Sequence, residues 1–156
     1  MYEEKFMREA IELSRKCLAT GTGGPFGAVV VKDGEVIGRG SNRVTLDNDC
    51  TAHAEVTAIR EACRNLRTFQ LDGCDIYTSC EPCPMCLGAI YWARPDRIYY
   101  AANREDASAI GFDDSLIYKE MNLSPEKRII SGEEHDREEA LATLADWKAS
   151  ENKIEY

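Results

Sequence analysis

Apolar residues recur along this chain with two alternating periods. Phe6, Ala10, Leu13 and Cys17 step by three and four residues, the spacing of one helix face, and predict a helix over 3–19. Gly21-Thr22-Gly23-Gly24-Pro25 breaks that pattern and reads as a loop. Residues 26–31 and 36–41 read as two strands, and the Asp33-Gly34 pair between them is a tight hairpin signal. The polar stretch 42–51 reads as a loop. Val56, Ile59 and Cys63 restore helical spacing over 53–66. A strand over 74–79 leads to a helix over 84–92, with Pro84 in its first turn, where a missing N–H costs little. A strand over 97–101, a short helix over 103–110 and a loop at Gly111-Phe112-Asp113-Asp114 follow. Ile129 and Ile130 suggest a last short strand, and 133–149 a charged helix. Hairpin-linked strands followed by strand–helix–strand units imply a mixed sheet with helices on both faces.

Composition changes this picture little. At 156 residues, 44% hydrophobic and 30% charged, the chain suits one domain spanning 1–156. No apolar run approaches the length of a membrane span, so no membrane partner is expected. The start, MYEEKFMREA, has no basic region followed by an apolar one, so no secretory signal is expected and the expected compartment is the cytoplasm. Thiols stay reduced there, which turns the seven cysteines from disulfide candidates into metal-binding or catalytic ones. The net charge of −9 argues against a nucleic-acid partner and for a small substrate.

Three cysteines stand within SCEPCPMC, residues 79–86. Cys83 and Cys86, three apart at a helix start, lie on one face and can share a metal. The helix N-terminus favours anionic sulfur. No C-x-x-C separate from this stretch exists to close a four-cysteine site. Thr51-Ala52-His53-Ala54-Glu55 opens another helix instead, and His53, one of two histidines, becomes the third ligand. Three protein ligands leave one coordination position open, the mark of a catalytic zinc rather than a structural one. Water bound to zinc has a pKa near 7, and Glu55 beside it is suited to moving protons. Cys80 is left out of the ligand set. H-x-E followed by P-C-x-x-C is the signature of zinc-dependent nucleobase deaminases, and His53, Glu55, Pro82, Cys83 and Cys86 complete it.

The chain resembles the cytidine-deaminase-like superfamily, and within it the small bacterial guanine deaminases. The likeness lies in GGPFGAV (23–29), TAHAEVTAIR (51–60), YTSCEPCPMCLGAIYWAR (77–94), GFDDS (111–115) and the ending KIEY (153–156). The resemblance implies a three-layer α/β/α sandwich around a five-stranded mixed sheet. It implies a homodimer, with the C-terminal segment a candidate for exchange between subunits. The implied activity is hydrolytic deamination of guanine to xanthine and ammonia, in purine salvage or catabolism, with one zinc per chain held by His53, Cys83 and Cys86. By position, Glu55 shuttles protons, and Asn42 and Asp114 contact the base. Tyr156 closes a pocket, and Phe26 and Trp92 are further pocket aromatics. Guanine sets N1–H and an amino group side by side, and an ionised carboxylate accepts two such bonds, so Asp114 fits a guanine reader. The resemblance gives Asp114 a second use as a proton source for the departing amine. Guanosine, another guanine-like aminopurine or an amino-triazine is the alternative substrate. Adenosine in tRNA fits less well, given the net charge and Asp114. Cys17 and Cys63 are expected in the core, and His135 on a solvated charged face.

Overall fold

In the computed structural model, which describes residues 1–156, the chain divides into two units, Met1–Asp114 and Ser115–Tyr156. The first opens with helix α1 (Glu4–Thr20) and the hairpin β1 (Gly27–Lys32) and β2 (Glu35–Ser41). Lys32 pairs with Glu35 across the turn. Asp33 and Gly34 between them have φ of 50° and 79°, the left-handed pair whose twist matches antiparallel strands. Helix α2 (Val44–Asp47), helix α3 (Ala54–Leu66), strand β3 (Cys74–Cys80), helix α4 (Pro84–Ala93), strand β4 (Arg97–Ala102) and helix α5 (Arg104–Ala109) complete this unit.

The sheet runs β2-β1-β3-β4, with the first two pairings antiparallel and β3–β4 parallel. It has four strands, not the five that the resemblance implied. Alternation along the central strands sends side chains to two cores. Ala28, Val30 and Ile76 meet Ala54, Ala58 and Ala62 of α3 and Ile90 and Ala93 of α4. Val29, Val31 and Tyr77 meet Phe6, Met7 and Ala10 of α1 on the other face. This is a three-layer α/β/α arrangement, and it explains why Gly27 to Val31 is buried without a break. Small residues bring α3 close to the sheet. A Cβ on Gly38 or Gly40 of β2 would strike the carbonyl oxygens of Ala58 and Ala54. That approach sets the position of the α3 N-terminus.

The polar stretch 42–51 is not wholly a loop. It holds the single turn α2, stabilised by a two-point ion pair from Arg43 to Asp47 at 2.8 Å. The second unit contains helix α6 (Ser115–Met121), which the apolar spacing did not predict, a 3₁₀ turn at Pro125–Lys127 and helix α7 (Arg137–Ala149). Ile129 and Ile130 form no strand. The Ile129 N–H donates to the Glu120 carboxylate at 2.6 Å and the Gly132 N–H to the Pro125 carbonyl at 3.1 Å, so local bonds replace a ladder. Helix α7 begins four residues later than expected, after Asp136 in a left-handed conformation, φ 52°. No residue of Ser115–Tyr156 is buried. No helix is long and apolar enough to cross a membrane.

Candidate functional site

Two helix N-termini build the site. His53 is the N-cap of α3 and Cys83 the N-cap of α4, both with extended backbone. Neither cap side chain bonds its own helix, as Ser or Asp would. Pro84 starts α4, and one turn on Cys86 returns to the Cys83 side. The Sγ atoms of Cys83 and Cys86 each lie 3.5 Å from His53 Nδ1. The three ligand atoms are all within 4.8 Å of one another. Tetrahedral bonds of about 2.3 Å to sulfur and 2.1 Å to nitrogen put N and S about 3.6 Å apart. The set is therefore preorganised for a zinc-sized ion, and two thiolates with one imidazole are a zinc-type donor group.

Electrostatics agree with this use. Cys83 is pulled down to about 4, first by a hydrogen bond from the Cys86 thiol, with His53 adding to the effect. Cys86 is pushed up by the same neighbour and by burial. The hydrogen bond to Cys83 raises His53. A coordinated metal would deprotonate both thiols outright. Glu55, in the first turn of α3, is 5% exposed. Burial raises its pKa. Its Oε1 accepts from the Thr78 hydroxyl at 3.2 Å and its Oε2 from Cys86 Sγ at 3.3 Å. A buried carboxyl thus stands against the metal-binding cluster without being a member of it.

Of the other predicted residues, Trp92 and Tyr156 are exposed and Asn42, Phe26 and Asp114 are wholly or partly buried. Asn42 is buried, and its Oδ1 accepts from the backbone N–H groups of Gly24 and Val44, both at 3.2 Å. A Cβ on Gly23 would strike that oxygen, so the glycine run leaves room for the amide. Phe26 is half-buried and meets Phe112 edge-on, centroids 4.9 Å apart. Asp114 is half-buried; its pKa is raised first by burial and then by the negative charge of Cys83, which puts it within electrostatic reach of the ligand cluster. Trp92 is on α4 but 64% exposed, six residues and about 120° around the helix from Cys86. Tyr156 is exposed at the end of the second unit.

Cys80 stays outside the cluster of His53, Cys83 and Cys86. It is buried at the end of β3, faces the Asn103 carbonyl at 3.6 Å and is raised by burial to about 11. Cys17 is buried and Cys63 half-buried, while His135 is exposed beside Glu133 at 3.2 Å. Sequence reasoning passed over Thr78. Its available signal was a hydroxyl at an inward position of a buried strand.

The family profile for the cytidine and deoxycytidylate deaminase zinc-binding region matches residues 1–102. Guanine deaminase of Bacillus subtilis (strain 168) is 54% identical over 156 residues, covering all of both chains. The crystal structure of guanine deaminase from Bacillus subtilis superposes with a TM-score of 0.96, covering 100% of this chain and 99% of that one. A solved guanine deaminase from Nitrosomonas europaea is 39% identical, with a TM-score of 0.68 over 72% of this chain and 65% of that one. The tRNA-specific adenosine deaminase of Aquifex aeolicus (strain VF5) is 40% identical over 102 residues, 65% of this chain and 67% of its own.

Proposed function

We propose that this chain, which belongs to the cytidine and deoxycytidylate deaminase zinc-binding family, hydrolyses guanine to xanthine and ammonia with one zinc ion per chain. Full-length similarity at 54% identity to a guanine deaminase supports the substrate, where a tRNA deaminase that matches over 99% of the chain is 38% identical. The observation that carries the reading is Glu55, a buried carboxyl set against a three-ligand metal cluster. The whole chain is taken as one deaminase domain. Its seven free thiols suit a reducing, cytoplasmic setting.

Held by His53, Cys83 and Cys86, zinc would supply a water acidic enough to ionise near neutral pH. Glu55 accepts a proton from the attacking water and delivers it to purine N3 as C2, the carbon bearing the amino group, becomes tetrahedral. Its raised pKa suits a group that must keep that proton between the two transfers. Asp114 accepts from guanine N1–H and the amino group together; the proton of the hydroxyl added at C2 then passes through it to the amine, which leaves as ammonia while C2 becomes a carbonyl. Asn42 has its oxygen committed to Gly24 and Val44, so its NH₂ is what it offers the base. That donor selects an acceptor edge of the purine. Phe26, steadied by Phe112, forms an aromatic wall.

The working form in this reading is a homodimer with an exchanged C-terminal segment. Support comes from Ser115–Tyr156, which buries nothing in the single chain and exposes Leu116, Ile130, Leu144 and Trp147. Trp92 and Tyr156 then complete the pocket in the assembly. The test is ammonia release by the zinc-loaded protein from guanine, guanosine, cytidine and adenosine-containing tRNA. Release from guanine is expected to dominate; no release from any of the four overturns the reading.

A further inference from the structure

Strand β3 is central, and Thr78 on it pairs with Ala28 of β1 on one side and Tyr100 of β4 on the other. Cys74 and Ile76, which precede Thr78 at two-residue steps on the same face, are core residues packed towards α3 and α4. Valine would suit position 78 at least as well as threonine, because strands favour β-branched side chains and a buried hydroxyl is unfavourable unless it is bonded. Thr78 is 1% exposed, and its hydroxyl donates to Glu55 Oε1. The other carboxyl oxygen, Oε2, is the one that meets Cys86 Sγ. One oxygen is thus tied to the sheet while its twin is directed at the ligand cluster.

We infer that Thr78 is a positioning residue for the deamination, its hydroxyl holding the Glu55 carboxyl so that Oε2 is the oxygen that exchanges protons with water and substrate. This rests on the Glu55 role proposed above. A glutamate has three rotatable side-chain bonds, and its terminal torsion is broad. Threonine has one stiff torsion, and here it projects from a strand bonded on both sides. The rigid partner therefore orders the flexible one. Without the hydroxyl the carboxyl keeps its place on the helix but loses its aim, and small misplacements of a reacting group cost large rate factors.

The test uses full-length, zinc-loaded protein carrying Thr78→Val and Thr78→Ser, with zinc content and guanine kinetics measured side by side. Thr78→Val is expected to keep its zinc and its KM while kcat falls roughly ten- to a hundredfold. Thr78→Ser, which restores a donor at the same place, is expected to recover kcat to within about threefold of the parent. A Thr78→Val protein with parental kcat overturns the inference. So does a loss of zinc, or a loss of rate that serine fails to rescue, since the side chain would then serve only the fold. Should the valine variant not fold, Thr78→Ala against Thr78→Ser carries the same contrast. Glu55→Gln separates the two levels. If it turns over guanine normally, the functional reading falls; if it is inactive while Thr78→Val matches the parent, only the Thr78 inference falls.

Discussion

Met1–Asp114 and Ser115–Tyr156 use their apolar residues in opposite ways. The first hides its apolar side chains in two cores on either face of one sheet, with Val29, Val30, Ile76 and Tyr77 nearly inaccessible. The second leaves Ile130 at 88% exposure and Leu144 at 64%, with local polar bonds such as Ile129 to Glu120. The difference teaches where chemistry can be held. A metal-binding trio assembled from residues 53, 83 and 86 needs two helix ends fixed to about half an ångström. Here a sheet packed on both faces supplies that rigidity. The second unit has helices without a core, and its apolar surface asks for a cover.

Cutting the trio should give the largest effect. Cys86→Ser is expected to lower zinc from one per chain towards none and to abolish guanine turnover, as read by metal analysis and ammonia assay. Glu55→Gln should leave zinc in place while kcat falls by about two to four orders of magnitude. Near-normal turnover at full metal occupancy would remove Glu55 from the mechanism. Gly40→Val tests the close helix approach in the first unit. Its side chain must displace Ala54, so we expect destabilisation of about 1–3 kcal/mol in denaturant melts, with weaker zinc retention. Cys80→Ser, outside the trio, should keep one zinc per chain, as read by metal analysis.

The smallest change is expected in the second unit and sharpens the comparison most. Ile130→Ser and Leu144→Ser should alter the stability of the isolated chain by no more than about 0.5 kcal/mol, because neither side chain is covered. The same variants should weaken self-association in sedimentation experiments. A destabilisation above about 2 kcal/mol that depends on protein concentration would mean that these side chains are buried in the working assembly.

Much of the first unit was legible because its signals are local. Phe6, Ala10 and Cys17 carry the period of α1, and the Asp33-Gly34 pair carries the hairpin. His53, Cys83 and Cys86 were legible as a set because their spacing has few other uses, and the structure brings them together. Helix α6 was missed because its seven residues give too short a window for a period to stand out. Ile129 and Ile130 misled because two β-branched residues satisfy strand propensity without any neighbour to pair with.

Apart from the single turn α2, the sequence alone determined the element order of the first unit, the candidate metal ligands and the carboxyl beside them, since each depends on neighbours within a turn or on a short motif. The tertiary structure decided what those residues touch. That Glu55 is gripped by Thr78, that Asn42 turns its oxygen to Gly24 and Val44, and that the sheet stops at four strands all depend on contacts between distant segments or on pairings that fail to form. Such contacts arise only when α3 settles on the sheet through Gly38, Gly40 and the alanine row facing them, a fit of shapes that no single stretch of sequence contains.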